Sequence, residues 1–502
     1  MFRLAFPTSG GTLGTPEPNQ SNPRTFTLDP WLIAALIVGL VVRVQAAMRS
    51  HLWFDEIYTL WVARRPFREL IATVAADVHP PLHYLMVSAW RALGGENDVY
   101  LKTLSILAGL ATIYITFAIG RELFSRTTGA GAAFLLALHP AHVAFSQESR
   151  SYATLFMLLA ASQWCAWCWV ERGGKRYGVG FVLAAAAALY THYLAAPVLA
   201  CTALWGLWAL MDRDEATRIR PWIGLHLLVA LLFAPQLPTV WTQAARLRHD
   251  RWVQSPLLDN FTNLLRLLAY SRTAAILPLL GLAALPVLRR GARPAGVLLW
   301  MASLVPATLL FVLANRGTGV FVERYMLFGL PAWCVLLAAG AAGLRWAWLR
   351  AASIALLLLV AARGLFLHEP QVEAARLTRL ESYLAAHVRS GDVVVHADAH
   401  SLLFARHYGL DPGVHLIYLR TPGLPYYEGN LVIPDAWRIG PHELEALRSS
   451  GRRWWAVDTR YGFVRADAET TDLALAAGAR VWTIDRATVW GGQGAGADSA
   501  AH

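Results

Sequence analysis

Apolar runs long enough to cross a bilayer recur over the first three-quarters of this chain, and no other feature restricts its fold as strongly. They fall at 30–48, 99–120, 127–144, 152–170, 177–191, 193–211, 221–240, 273–288, 295–314, 325–343 and 349–366, about eleven in all. A helix needs about 20 predominantly apolar residues to span ~30 Å of hydrocarbon. Inside lipid every backbone N–H and C=O must be satisfied within the chain, so repeated runs of this kind are read as helices. The sequence therefore predicts a polytopic α-helical membrane protein. Only 15% of its 502 residues are charged, against roughly 25% in soluble domains. Many of the 21 tryptophans stand near run ends, where interfacial anchors belong.

The formal charge of +11 does not form a nucleic-acid footprint. Its arginines and lysines fall in short clusters between apolar runs, which is orientation information. Five clusters alternate with the runs: Arg121 and Arg126; Arg172, Lys175 and Arg176; Arg213, Arg218 and Arg220; Arg289, Arg290 and Arg293; Arg345 and Arg350. Retention of positive charge in the cytoplasm puts all five on the inner side. The opposite set is then outside: 49–98, 145–151, the surroundings of 192, 241–272, 315–324 and everything after 366. That pattern holds only if the 13-residue apolar piece 81–93 does not span. It is too short to span, so we expect a helix of the first outer loop lying along the membrane surface, or partly re-entrant, beside Asp55. Its Pro-Pro start suits a helix N-terminus, where a missing N–H costs nothing.

Four regions are expected: a disordered cytoplasmic tail at 1–29, a transmembrane part at 30–366, a small extracytoplasmic α/β domain at 367–491, and a disordered tail at 492–502. The first tail lacks a basic stretch, short apolar core and cleavage site, so it is not read as a signal peptide. After Pro370 strand and helix signals alternate. Strands are expected at 393–397, 414–419, 454–458 and 481–485, and helices at 371–389, 401–408, 442–449 and near 467–477. Cys165, Cys168, Cys201 and Cys334 all lie in apolar runs and read as small core residues. Cys165 and Cys168 have the spacing of half a zinc site but no second pair.

The notable polar residues gather on the outer face. Trp53-Phe54-Asp55-Glu56 follows the first run, and His79-Pro80-Pro81-Leu82 follows it in the same loop. The second outer loop reads Ser146-Gln147-Glu148-Ser149-Arg150 and opens a run at Ser151-Tyr152. Tyr190-Thr191-His192-Tyr193 joins two runs, and Arg324-Tyr325 enters the tenth. Polar and ionisable residues at a membrane boundary are costly and mark function. Each also has a plainer reading: acidic residues cap helix ends, and aromatic and basic residues anchor interfaces. Their joint placement favours chemistry. A carboxylate can take a proton from an attacking hydroxyl, and arginines can hold a departing phosphate by paired hydrogen bonds. Arg43, in the first run, is a further phosphate candidate, with snorkelling as its alternative.

This ordered set of motifs resembles the bacterial polyprenyl-phosphate-dependent glycosyltransferases of the GT-C type, similar to protein O-mannosyltransferases and aminoarabinose lipid A transferases. The resemblance covers about 30–345. It implies an enzyme that moves a sugar from a polyprenyl-phosphate carrier to a hydroxyl of a lipid, polysaccharide or protein, with inversion, at the outer face of the bacterial inner membrane. It implies Asp55 as the base with Glu56 beside it, Glu148 as a second acidic residue, and surface helices in the first outer loop. Arg324 is the implied donor-phosphate residue, with His79, Arg150, Tyr152, His192, Tyr325 and Arg43 as further binding candidates. In Gln147-Glu148-Ser149-Arg150 the glutamate stands where some relatives have an aspartate. Members differ in metal use, so a divalent cation, Mg2+ or Mn2+, stays open, and no closed ligand set is visible. His396, Asp398 and His400 alternate in a way that could put three ligands on one strand face, although the strand is expected to end near Asp398.

A flippase for lipid-linked sugars is the rival reading. It requires polar residues at mid-membrane depth, of which Arg43, Gln163 and His226 are the main ones. A non-catalytic scaffold with a sensory outer domain is a third reading.

Overall fold

The computed structural model describes residues 29–249, 258–270, 272–316, 321–366, 372–409, 411–420, 429–459, 466–477, 479–484 and 487–491. The expected tail 492–502 and all of the expected tail 1–29 except Asp29 lie outside these.

Helix α1 (Pro30–Ala47) starts on a proline, and Asp29 accepts from Trp31 N at 2.9 Å. Three short helices fill the first loop: α2 (Phe54–Ala63), α3 (Phe67–Ala76) and α4 (Leu82–Gly94). Helix α4, 13 residues long, covers the 81–93 piece and is shorter than a membrane span. Helix α5 (Asp98–Leu123) follows, with Asn97 accepting from Val99 N and Tyr100 N. Next come α6 (Arg126–Ala137), α7 (Pro140–Phe145), α8 (Tyr152–Arg172), α9 (Lys175–Thr191), α10 (Ala195–Asp212), α11 (Ala216–Phe233) and α12 (Leu237–His249). The rest of the bundle is α13 (Leu258–Leu268), α14 (Ile276–Leu288), α15 (Arg293–Ala302), α16 (Leu304–Asn315), α17 (Leu330–Ala342) and α18 (Ala347–Phe366). A 3-10 segment, Glu323–Gly329, leads into α17.

Among the described residues eight helices are long and apolar enough to span, or nine if the bent pair Leu258–Leu268 and Thr273–Leu288 counts as one span. The sequence count of about eleven also included 127–144 and 177–191. The first is two helices, α6 and α7, broken by a turn before Pro140, and the second is the 17-residue α9. Both pack within the bundle, α6 on α5 and α17, and α9 on α8. Helices α5 and α6 touch at Gly120 and Gly129. A Cβ on Gly129 would lie 2.5 Å from the Phe117 carbonyl oxygen, so this backbone approach requires a residue without one.

The C-terminal part begins with α19 (Val372–His387). It continues as β1 (Val393–His396), α20 (Ala399–Tyr408), β2 (Val414–Tyr418), β3 (Arg438–Ile439), α21 (Pro441–Ser449), β4 (Trp454–Asp458), α22 (Ala466–Ala477), β5 (Ala479–Ile484) and β6 (Ala487–Gly491). The sheet order is β3-β2-β1-β4-β6-β5. The first four strands are parallel, with Val393 opposite Val414 and Trp454, while β6 runs antiparallel to β4 and β5. Strands β3 and β6 were not expected from sequence.

One face of this sheet has its own core, with Val395, Tyr418, Leu444, Trp454 and Leu473. The other shares a core with the first membrane loop. Leu52, Phe54, Ile57 and Leu60 are buried in one cluster with Leu377, Val394, Leu402, Phe404 and Trp455.

Candidate active site

Helix α2 carries both carboxylates of the first loop, and its first turn separates them. The Glu56 carboxylate folds back on its own helix start, accepting from Trp53 N at 3.1 Å, and reaches across to accept from Ser149 N at 2.6 Å. It is completely buried. Burial pushes this carboxyl above its usual range, against the pull of Lys102 and of the two N–H donors. Glu56 thus ties the first loop to the second.

Asp55, one residue earlier, turns toward Arg150. A guanidinium nitrogen of Arg150 lies 3.5 Å from the Asp55 carboxylate, with the Asp55 side chain 24% exposed and that of Arg150 8%. The other terminal nitrogen of Arg150 donates to Thr59 Oγ1 at 2.9 Å and to the Asp55 carbonyl at 3.3 Å. Thr59, one turn along α2, is thereby a site residue that sequence reading did not single out. His83 Nε2 lies 3.2 Å from the Ser149 carbonyl and adds a third tie between the loops. Burial, with the charge of Arg150 added, pushes His83 down to about 3, so its ring is neutral.

Glu148 stands between these groups with Oε2 buried and unpaired among the described residues. Burial first, and the neighbouring Glu56 second, push it up to about 8 against the pull of Arg150. At neutral pH it is a carboxylic acid, not a second anion beside Asp55.

The remaining outer motifs meet as a ring of aromatic and basic side chains. Tyr152 stacks on Tyr325 at 6.1 Å, and His192 lies 5.8 Å from Tyr325 and 6.5 Å from Tyr152. His79 faces His192 at 6.2 Å. Arg324 sits over the Tyr325 ring at 5.2 Å, within electrostatic reach of Asp55 and Tyr152. Its Nε is buried without a partner among the described residues. Burial pushes His192 down to about 3, so this ring is neutral as well. Four segments far apart in sequence thus converge, as the loop pattern predicted.

Some features were not legible. The turn before α4 is held from the far side by α12: Gln243 Nε2 donates to the Val74 carbonyl at 2.9 Å, and Arg246 donates to the Ala76 carbonyl. Asp77 accepts from Tyr84 at 3.3 Å and meets His79 at 3.2 Å. An open groove beside Arg324 is lined by Asn263, Arg266, Val322 and Glu323.

Arg43 is spent elsewhere. It is completely buried, donates to the Gly39 and Ala137 carbonyls at 2.9 and 3.1 Å, and meets His142 Nδ1 at 2.6 Å. A guanidinium at that depth needs acceptors, and the end of α6 and helix α7 supply them.

The alternating histidines of the C-terminal part also diverge. His396 meets Ser401 and His415, Asp398 caps α20 by accepting from Ser401 N, and His400 stacks on Phe54. Among the described residues no group of three or more His, Cys, Asp or Glu side chains could hold a metal ion.

The site thus joins a partly open carboxylate, two arginines and an aromatic rim. Residues 78–241 match the family described as dolichyl-phosphate-mannose-protein mannosyltransferase. The fold is similar to that of ArnT from Cupriavidus metallidurans bound to undecaprenyl phosphate. That structure has a TM-score of 0.60 and 16% identity, and the match covers 93% of this chain and 98% of that one. The same protein in the apo state gives 0.59 and 16%, covering 92% and 98%. No curated protein matches the sequence. Over residues 78–241 the chain is thus similar in sequence to that mannosyltransferase family. Over most of its length the architecture is similar to that of ArnT.

Proposed function

We propose that this protein transfers a sugar from a polyprenyl-phosphate carrier to an acceptor hydroxyl at the extracytoplasmic face of a bacterial inner membrane. Asp55 removes the acceptor proton as its oxygen attacks the anomeric carbon. The bond from that carbon to the phosphate oxygen breaks, and its electron pair leaves with the carrier phosphate. A single displacement of this kind inverts the anomeric centre.

The observation that carries the reading is the contrast between the two adjacent carboxylates. Asp55 is partly exposed beside Arg150, whereas Glu56 is buried and held by two backbone N–H groups. A general base must be within hydrogen-bond reach of the proton it takes, and of the two only Asp55 is open. Arg150 orients Asp55, while Arg324 faces the departing phosphate, where preorganised positive donors lower the barrier most. Tyr152, Tyr325, His192 and His79 form the wall against which a sugar ring packs. Glu148, neutral at pH 7, places no further negative charge near the phosphate. Glu56 is a positioning residue for the loops, and Arg43 a buried pin of the bundle.

The test is transfer in membranes holding the full chain, with radiolabelled polyprenyl-phosphate sugars as donors. Label is followed into lipid, glycan and protein fractions. Transfer into one fraction is expected and identifies the acceptor class. No transfer from any donor, with folded protein present, contradicts the proposal and favours carrier translocation without chemistry.

A further inference from the structure

We propose that the C-terminal sheet unit is a working part of the catalytic centre, with His400 and Tyr408 of α20 as positioning residues for Asp55. The inference rests on the reading of Asp55 as the base.

Its ground is what holds the residues just before Asp55. Asp55 itself meets Arg150 from the loop before α8, so the direction of its carboxylate depends on the backbone at the start of α2. That backbone is held from the other side by one helix of the sheet unit. Leu52 N donates to Tyr408 Oη at 2.7 Å, and the Tyr408 hydroxyl donates onward to Asp98 at 2.8 Å. His51 joins the same Asp98 carboxylate at 3.1 Å and lies 4.7 Å, edge on, from the Tyr408 ring. The Phe54 ring, adjacent to Asp55 in sequence, stacks on the His400 imidazole at 4.0 Å and 9°. Residues 51, 52 and 54 therefore each rest on α20.

Helix α20 is itself fixed. Asp398 accepts from Ser401 N at 2.8 Å, and its second oxygen accepts from Thr459 N and Oγ1 at 3.0 and 2.9 Å. The first turn of α20 is thus bound to the ends of β1 and β4. The contact continues along α2 and just past its end, with Trp61 against Trp437 at 5.7 Å and Arg65 donating to the Leu431 carbonyl at 2.5 Å. The buried cluster shared by α2, α19, α20 and the sheet makes one body of these parts. A carboxylate carried on such a body is oriented by it, and a displacement of ~1 Å costs up to 10²-fold in rate.

The test uses the full chain in lipid nanodiscs and reads two quantities. The first is hydrogen–deuterium exchange of residues 51–57, which needs no substrate. His400→Ala and Tyr408→Phe are expected to speed this exchange about tenfold or more, while His400→Phe, which keeps the stack, leaves it near wild type. The second is sugar transfer from the polyprenyl-phosphate donor pool. His400→Ala and Tyr408→Phe are expected to lower kcat about tenfold with the donor KM within twofold, and His400→Phe to recover most of the lost rate. Rates are referred to folded protein, because a loss of folded protein alone would also lower apparent kcat at unchanged KM, and the exchange at 51–57 separates the two. Unchanged exchange at 51–57, or full kcat in both variants, overturns the positioning role. So does a His400→Phe as slow as His400→Ala. Should His400→Ala not fold, Tyr408→Phe carries the same comparison. Asp55→Asn, run in parallel, separates the two readings: if it transfers normally, Asp55 is not the base, whatever α20 does.

Discussion

The carboxylates of Asp55 and Glu56 stand one residue apart and face opposite surroundings. Asp55 opens toward Arg150 at 3.5 Å, and Glu56 lies completely buried between Trp53 N and Ser149 N. A helix turns about 100° per residue, so neighbours at its first turn are natural candidates for separate tasks.

Glu56→Gln keeps the shape but offers only one acceptor to two backbone donors. An unsatisfied buried group costs about 1–3 kcal/mol. A fall in thermal stability in detergent of that size is therefore expected, with a partial loss of transfer that follows the loop displacement. Abolished transfer at unchanged Tm would instead make Glu56 a chemical participant.

Arg150 bridges Asp55 and Thr59 from the second loop. Arg150→Met leaves Asp55 without its counter-charge, and kcat/KM is expected to fall on the order of a hundredfold. Arg150→Lys keeps the charge but cannot reach both partners in a fixed fork, so it recovers only part of the rate. Steady-state kinetics of the two variants check this.

Glu148 carries the expected alkaline limb of the pH profile. Its carboxyl is pushed up to about 8, so it is neutral below that pH and becomes an anion above it. The ionised form adds negative charge near Asp55 and the departing phosphate. Wild-type transfer should fall as pH rises through about 8, while Glu148→Gln, neutral throughout, should keep its pH 7 rate and flatten that limb. A Glu148→Gln enzyme inactive at pH 7 would mean the ionised form is the working one.

Glu381 on α19 is completely buried, and both carboxylate oxygens lack a hydrogen-bond partner among the described residues. Burial, with Asp411 nearby, pushes it up to about 8. The folded-state value is raised, so the associated stability is full below the unfolded value near 4.5 and is lost as pH rises from there through about 8. Glu381→Leu should remove this slope and gain a few kcal/mol near pH 8. Thermal melts at pH 4.5 and 8 read it, and equal wild-type and variant slopes would contradict it.

The bundle was legible because lipid leaves apolar runs few alternatives. That the segments around 55, 148, 192 and 324 meet was legible because alternating basic clusters assign their loops to one side. What was hidden depends on long-range contact. Nothing local marks Arg43 as a pin, because its acceptor at the Ala137 carbonyl comes from another helix. Only the family resemblance separated Asp55 from Glu56 in the sequence; that Glu56 caps α2 depends on where the helix starts. The spacing of His396, Asp398 and His400 suggested a single face. The strand ends at His396 and α20 begins at Ala399, so the three side chains part. Docking of α20 on residues 51–54 joins positions over 300 residues apart, and no periodicity announces it.

The most direct measurement of the central claim compares Asp55→Asn with wild type in sugar transfer from polyprenyl-phosphate donors, at equal amounts of folded protein. Asparagine keeps the size and removes the base. Loss of transfer by at least a hundredfold, with an unchanged melting profile, is the expected result. Transfer at the wild-type rate would contradict the assignment of Asp55 as the base and the account of the site built on it.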